Sequence, residues 1–221
     1  MDVNLQKIID LRVEKTIKAL EKNCMKGYYV KSEAELLKLI DSLIQDDKLI
    51  TAGGSMTLNE TGVIKHLHEK YNDIFADRAD CKNQDEVEDV FRKAFSSDTF
   101  FASTNAVTEN GELYNIDGNG NRVSAMIFGP KQVILVVGTN KIVADLNEAK
   151  TRLQKIACPA NTVRLNCDTP CRVVGECQNC HSPARICCSY VTLAQQRKKD
   201  RIKVIFIDGS YGYYTVIAYS Y

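Results

Sequence analysis

Four cysteines late in the chain have the spacing of a metal-binding loop. Cys171, Cys177, Cys180 and Cys187 read as C-x5-C-x2-C-x6-C. The closest pair, Cys177-Gln178-Asn179-Cys180, lets two thiolates reach one centre from a tight turn, and Cys171 and Cys187 flank it at distances that complete four sulfur ligands. Four thiolates suit tetrahedral zinc and equally an iron–sulfur cluster. The spacing matches no ferredoxin run, so the pattern leaves zinc and iron–sulfur both open. The competing reading is a loop of reduced, inert thiols. Against it, seven of the nine cysteines fall between Cys158 and Cys188, a density that packing alone has little reason to produce. Cys24 and Cys81 stand apart and read as plain thiols. His181 directly follows Cys180 and is awkwardly placed to bind the same ion.

A second group of chemistry-bearing residues lies upstream. Gly53-Gly54-Ser55 ends an apolar run abruptly and leads into a helix starting near Thr57. Two glycines let the backbone turn tightly and leave amide groups free to face an anion; a tight turn with no ligand fits the same residues. Between Thr99 and Val143, apolar segments deliver Asn105, Glu109, Asn121, Arg122, Asn140 and Lys141 at or just past their ends. A carboxylate near a lysine can abstract a proton next to a carbonyl, or attack as a nucleophile and form an acyl intermediate. Glu109 and Lys141 are the candidates for those roles. The alternative is that Glu109 and Asn110 make a hairpin turn, Asp117 to Arg122 cap a helix, and Lys141 is solvated. His66 and His68, two residues apart, face different directions on a helix and do not read as a metal pair.

These groups need a scaffold, and the hydrophobic periodicity supplies one. Helical spacing of apolar residues covers Asn4–Glu21, a stretch from Ser32 with Glu35 placed for a capping box, a stretch from Thr57, Asp85–Phe95 and Asp145–Ile156. Apolar runs at Gly27–Val30, Lys48–Ala52, Asp73–Phe75, Thr99–Ser103, Leu113–Ile116, Val133–Val137 and Ile202–Ile207 read as strands. Strand and helix alternate nearly throughout, which predicts an α/β fold, a mostly parallel sheet with helices on both faces. Polar groups clustered beyond the strand ends mark the crevice where ligands bind in such sheets. The expected organisation is a core over 1–157, a Cys-rich candidate metal-binding segment over 158–190, and a last strand and tyrosine-rich tail over 191–221 that complete the core.

Composition narrows the function classes. The chain has 221 residues, 44% of them hydrophobic and 26% charged, with net charge +1. No basic field exists to recruit nucleic acid or an anionic membrane. No apolar run is long enough to span a bilayer, and the polar start MDVNLQKIID does not read as a signal peptide. The expectation is a cytoplasmic protein, in which many cysteines point to metal or redox chemistry rather than disulfides. Monomer and homo-oligomer both remain open.

Three blocks carry a specific resemblance: GGSMTLNETG (Gly53–Gly62), STNAVTENGELYNIDGNGNR (Ser103–Arg122) and VGTNKIVADLNEA (Val137–Ala149). In this order and spacing they resemble the signature blocks of the lactate-utilization (LUD) domain family, over nearly the whole chain. The resemblance implies a sheet related to the ribose-5-phosphate isomerase and CoA-transferase fold. By that likeness Gly53, Gly54, Ser55 and Thr57 would contact a small anionic ligand, phosphate or carboxylate. Asn105, Glu109, Asn121, Arg122, Asn140 and Lys141 would line the same pocket. It further implies an accessory redox or ligand-binding component of lactate or organic-acid utilization, working with redox partner proteins. The other implied role is an isomerase or acyl-transferase. Some LUD proteins resembling this chain carry the pattern found here as Thr169-Pro170-Cys171, Cys177, Cys180 and Arg185-Ile186-Cys187. The pattern favours Cys171, Cys177, Cys180 and Cys187 as ligands over Cys158, Cys167 and Cys188, and the redox setting favours iron–sulfur over zinc.

Overall fold

The structure, a computed structural model, describes residues 2–213; the rest of the tyrosine-rich tail, 214–221, lies outside the described residues. The strands in chain order are β1 (Lys26–Val30), β2 (Ile50–Ala52), β3 (Phe75–Ala76), β4 (Thr99–Ala102), β5 (Ala106–Thr108), β6 (Leu113–Asp117), β7 (Gln132–Gly138), β8 (Ile142–Val143), β9 (Ser189–Leu193) and β10 (Ile202–Ile207). The helices are α1 (Val3–Lys22), α2 (Glu33–Ile44), α3 (Met56–Glu60), α4 (Val63–Tyr71), α5 (Gln84–Lys93), α6 (Asn121–Ile127), α7 (Leu146–Arg152), α8 (Cys158–Arg164) and α9 (Pro170–Val174). The α2 cap is a shifted capping box: Ser32 Oγ accepts from Glu35 N, but the Glu35 carboxylate turns to Lys31 N rather than to Ser32 N. None of the described helices is long and apolar enough to cross a membrane.

Six strands form one fully parallel sheet in the order β1-β10-β7-β4-β2-β3. Its central strands β4, β7 and β10 are largely apolar runs because both faces are covered. Along β7 the side chains alternate: Val133, Leu135 and Val137 enter one core with Val13 and Leu20 of α1 and Met126 of α6, while Ile134 and Val136 enter the other with Leu36 and Ile40 of α2 and Leu67 of α4. Phe206 and Phe101, fully buried in the first and second core respectively, each contribute about 1.5–3 kcal/mol of burial. This is the two-sided α/β architecture expected from the sequence.

The sequence reading did not contain a second sheet. Four strands in the order β8-β5-β6-β9 form a mixed sheet: β5 and β6 are an antiparallel hairpin, β8 joins parallel and β9 antiparallel. Asn110-Gly111 turns the hairpin. Gly111 has φ +79°, and a Cβ there would strike the α1 backbone at Ala19 and Leu20, so the position needs glycine twice over. The second sheet packs through Val107, Leu113 and Leu193 on the same core as α1, and through Ala106 and Val143 against Ala149 and Leu153. The Cys-rich segment leads directly into it, because β9 runs from Ser189 to Leu193.

Candidate functional site

Parallel register aligns the carboxyl ends of β2, β4 and β7, with Ala52 beside Phe101 and Ala102 beside Leu135. The chain leaving those ends, Gly54–Thr57, Ser103–Asn105 and Lys141, converges on a cavity of about 300 Å³. The loop after β6, from Ile116 to Arg122, supplies a third side, Arg152 of α7 a fourth, and Gly212-Tyr213 a cover. This is the crevice position that open α/β sheets offer to ligands.

Lys141 sits at the floor. It is 6% exposed, and its Nζ donates to Thr57 Oγ1 (2.7 Å) and Ser103 Oγ (2.8 Å). Among the described residues it makes no ion pair with a carboxylate. Burial first, then the nearby Arg152 and Arg122 guanidinium groups, push its ammonium down to about 7, with Glu60 opposing them weakly. A buried cation with hydroxyl partners and cationic neighbours is held ready to lose its proton.

The arginines play different parts. Arg122 is fully engaged: Nε contacts Asp117 (3.1 Å), one terminal nitrogen donates to Ser103 O and Asn115 Oδ1, and the other to Asn105 Oδ1 and Ile116 O. All five donor positions of a guanidinium are thereby spoken for. It frames the wall and contributes positive charge. Arg152 donates to Asn105 O and Tyr213 O, and burial lowers it to about 10. Arg78 lies over the glycine turn, where a Cβ on Gly54 would displace its guanidinium, and its side chain makes no hydrogen bond among the described residues. It is the cation left to meet a ligand.

The remaining sequence candidates separate. Gly54, Ser55, Thr57, Asn105, Asn121, Arg122 and Lys141 border the cavity. Ser55 also caps α3 through Leu58 N. Gly53 is one step short: its N–H donates to Phe101 O, and a Cβ there would crowd the Phe100 ring and the Arg122 stem. Asn140 turns the other way and clamps Tyr211, accepting from its N (3.2 Å) and donating to its O (3.4 Å). Glu109 does not join Lys141. It binds Arg12 Nε (2.7 Å) and Lys15 Nζ (2.6 Å) of α1, and the Lys15 contact with that of Arg12 holds its carboxyl below the usual range. The reason is geometric. Asn105 touches the cavity, and four residues of extended chain at about 3.3 Å each carry Glu109 to the far end of β5.

Arg78, Arg152 and Ser103 were absent from the sequence candidates. Arg152 had a readable signal, since it falls three residues after Ala149 on the inward face of its helix. Arg78 follows a two-residue strand and carries none.

The cysteines form a second, smaller cavity of about 20 Å³, bordered by Cys158, Cys171, Cys177, Cys180 and Cys187. Cys171 is buried beside the hydroxyls of Thr162 (3.5 Å) and Thr169 (3.4 Å). Cys177 Sγ accepts from Asn179 N (3.4 Å). Arg185 ties the loop by donating to the carbonyls of Cys187 (2.8 Å) and Cys180. The Cys158 thiol faces Cys187: that hydrogen bond, with burial, raises Cys158, while the same hydrogen bond, helped by Arg185, holds Cys187 down at about 7 against its own burial. Among the described residues no three Cys, His, Asp or Glu side chains stand in position to hold one metal ion. The all-thiolate donor set around one hollow nevertheless fits a soft metal or a cluster. Cys158, Ile186 and Cys187 border both cavities.

A family model for the LUD domain matches residues 13–207. Among solved structures, the chain is similar to a DUF162 family protein from Deinococcus radiodurans, whose crystal structure was determined at 1.70 Å resolution. The likeness has a TM-score of 0.50 at 13% identity and covers 92% of this chain and 98% of that one, which supports the fold. No curated protein matches.

Proposed function

The chain belongs to the LUD domain family, and from that premise we propose that it binds a small organic anion at its strand ends as a component of lactate or organic-acid utilization. The supporting observation is the cationic cavity: Arg78, Arg152 and Lys141 face one hollow, and Asp117, the carboxylate on its wall, is already held by Arg122 and Gly120 N. Such a site is electrostatically incomplete without an anionic ligand. Arg78 and the Gly54 turn take the charged end, and Lys141, Thr57 and Ser103 meet the reacting end. The sequence alternative of a Glu109–Lys141 pair loses its acid because Glu109 is bound to α1. Any proton transfer here therefore falls to Lys141.

The cysteine cavity supports the redox half of the reading. Cys171, Cys177, Cys180 and Cys187 would hold an iron–sulfur cluster or zinc, with Cys158 beside them. A cluster supplies one-electron transfer, a role that calls for redox partner proteins. Nine free cysteines suit a reducing cytoplasm.

Titration calorimetry with lactate, pyruvate and inorganic phosphate tests the anion site. Saturable binding of at least one, weakened by Arg78→Ala with the melting temperature retained, is expected; no heat from any of the three removes the reading. Metal and sulfide analysis after anaerobic reconstitution tests the cysteine loop. A colourless protein with stoichiometric zinc removes the redox role, and a protein free of metal removes the centre.

A further inference from the structure

We propose that Lys141 forms an imine with the carbonyl carbon of its ligand, so that the substrate class is a small anion that also carries an aldehyde or ketone. This rests on the reading of the cavity as an anion site. Lys141 is the amine on the cavity wall, it has no carboxylate to hold its charge among the described residues, and its Nζ is anchored by Thr57 and Ser103 hydroxyls. A neutral amine that donates two N–H groups to those oxygens keeps its lone pair for the open side. The cavity wall offers no better nucleophile at that depth, because Asp117 is bound by Arg122 and Gly120, and Cys158 and Cys187 lie on the side shared with the cysteine cavity.

The step balances without an oxidant. The Nζ lone pair attacks the carbonyl carbon and the carbon–oxygen π electrons move to oxygen, which takes up a proton. Nζ gives up its two N–H protons on the way, one to that oxygen in forming the carbinolamine and one as the hydroxyl departs as water, which leaves the carbon–nitrogen double bond. The two hydroxyls that touch Nζ can pass protons to and from the departing oxygen. The groups facing Lys141 fix its pH response: Arg152 from α7 and Arg122 from α6 favour the free amine, and Glu60 from α3, which accepts from Gly212 N (2.6 Å), opposes them.

The experiment is reductive trapping of the full-length protein with borohydride in the presence of pyruvate or glyceraldehyde 3-phosphate, followed by peptide mass mapping. The expected result is one adduct at Lys141, suppressed by excess lactate or phosphate and absent in Lys141→Arg. Trapping should climb about tenfold per pH unit and level off above a pKa near 7. Adducts confined to surface lysines, or no adduct with either probe, overturn the imine. Calorimetric binding of pyruvate without an adduct overturns the imine alone and leaves the anion site standing. Absence of both binding and adduct overturns both.

Discussion

The two cavities share a wall and are built on opposite plans. The cationic one stands on the ends of paired strands, and its members hold one another: Arg122 alone makes five contacts to two segments of chain, residues 103–105 and 115–117. The cysteine one stands on two short helices and the loop from Gly175 to Cys188, with sulfur atoms whose partners are few and weak. The first is preorganised by the protein itself, at the expense of burying positive charge. The second has its donors gathered but leaves the final positioning to whatever the thiolates bind, as metal sites often do.

The contrast breaks most readily at Arg122. Its replacement by Ala strands Asp117, Asn115 and two carbonyls in a nearly closed space, and should lower the unfolding free energy by about 3–5 kcal/mol in urea titration. A loss below about 1 kcal/mol would show that the wall is not self-supporting.

The next effect is a pH dependence. Lys141 is pushed from 10.5 down to about 7 in the folded protein, so between those values the unfolded chain binds the extra proton. Stability attributable to this residue therefore rises with pH from 7 to 10.5, by at most about 1.4 kcal/mol per unit, and is flat below 7. Lys141→Met removes the dependence. Its advantage over the natural protein should be largest at and below pH 7 and shrink as the pH is raised, read from paired denaturation curves. A gap that widens with pH would mean that Lys141 is stabilised as a cation.

Glu109→Gln is the smaller test. It cuts two half-exposed ion pairs to α1 and should cost about 0.2–1 kcal/mol, less at high salt, with ligand affinity unchanged in calorimetry. A collapse of affinity would return Glu109 to the site. Smallest of all, Cys180→Ser should shift metal-free stability by only about 0.5 kcal/mol while lowering bound metal in elemental analysis. Retained metal would move the ligand set toward Cys158.

How much of this was legible follows from which contacts are local. The parallel sheet was readable because buried strands such as Val133–Val137 are uninterrupted apolar runs. The meeting of Gly54, Asn105, Arg122 and Lys141 was readable because each lies just past an apolar segment. Glu109 misled because the same rule, applied to a hairpin, ignores which end faces the sheet. The second sheet was hidden: β8 has two residues, and β9 sits inside a stretch dominated by cysteines and finds β6 some 75 residues away in sequence, Ser189 pairing with Asp117. Helix α6, seven residues long, is too short for a periodic signal.

One detail of topology bears on how such a chain can be assembled. β1 touches the six-stranded sheet only through β10, which wedges between it and β7. Residues 26–30 must therefore wait for residues 202–207, whose paired positions lie 177 residues later (Lys26 with Lys203), before they have any strand to bind. During synthesis the opening helix and strand travel without their place in the sheet, and a chain interrupted anywhere ahead of Ile202 loses β10 and, with it, the attachment of β1, both from the same edge. Such long-range closure makes for slow folding, and it welds the first and last thirds of the polypeptide into a single cooperative unit.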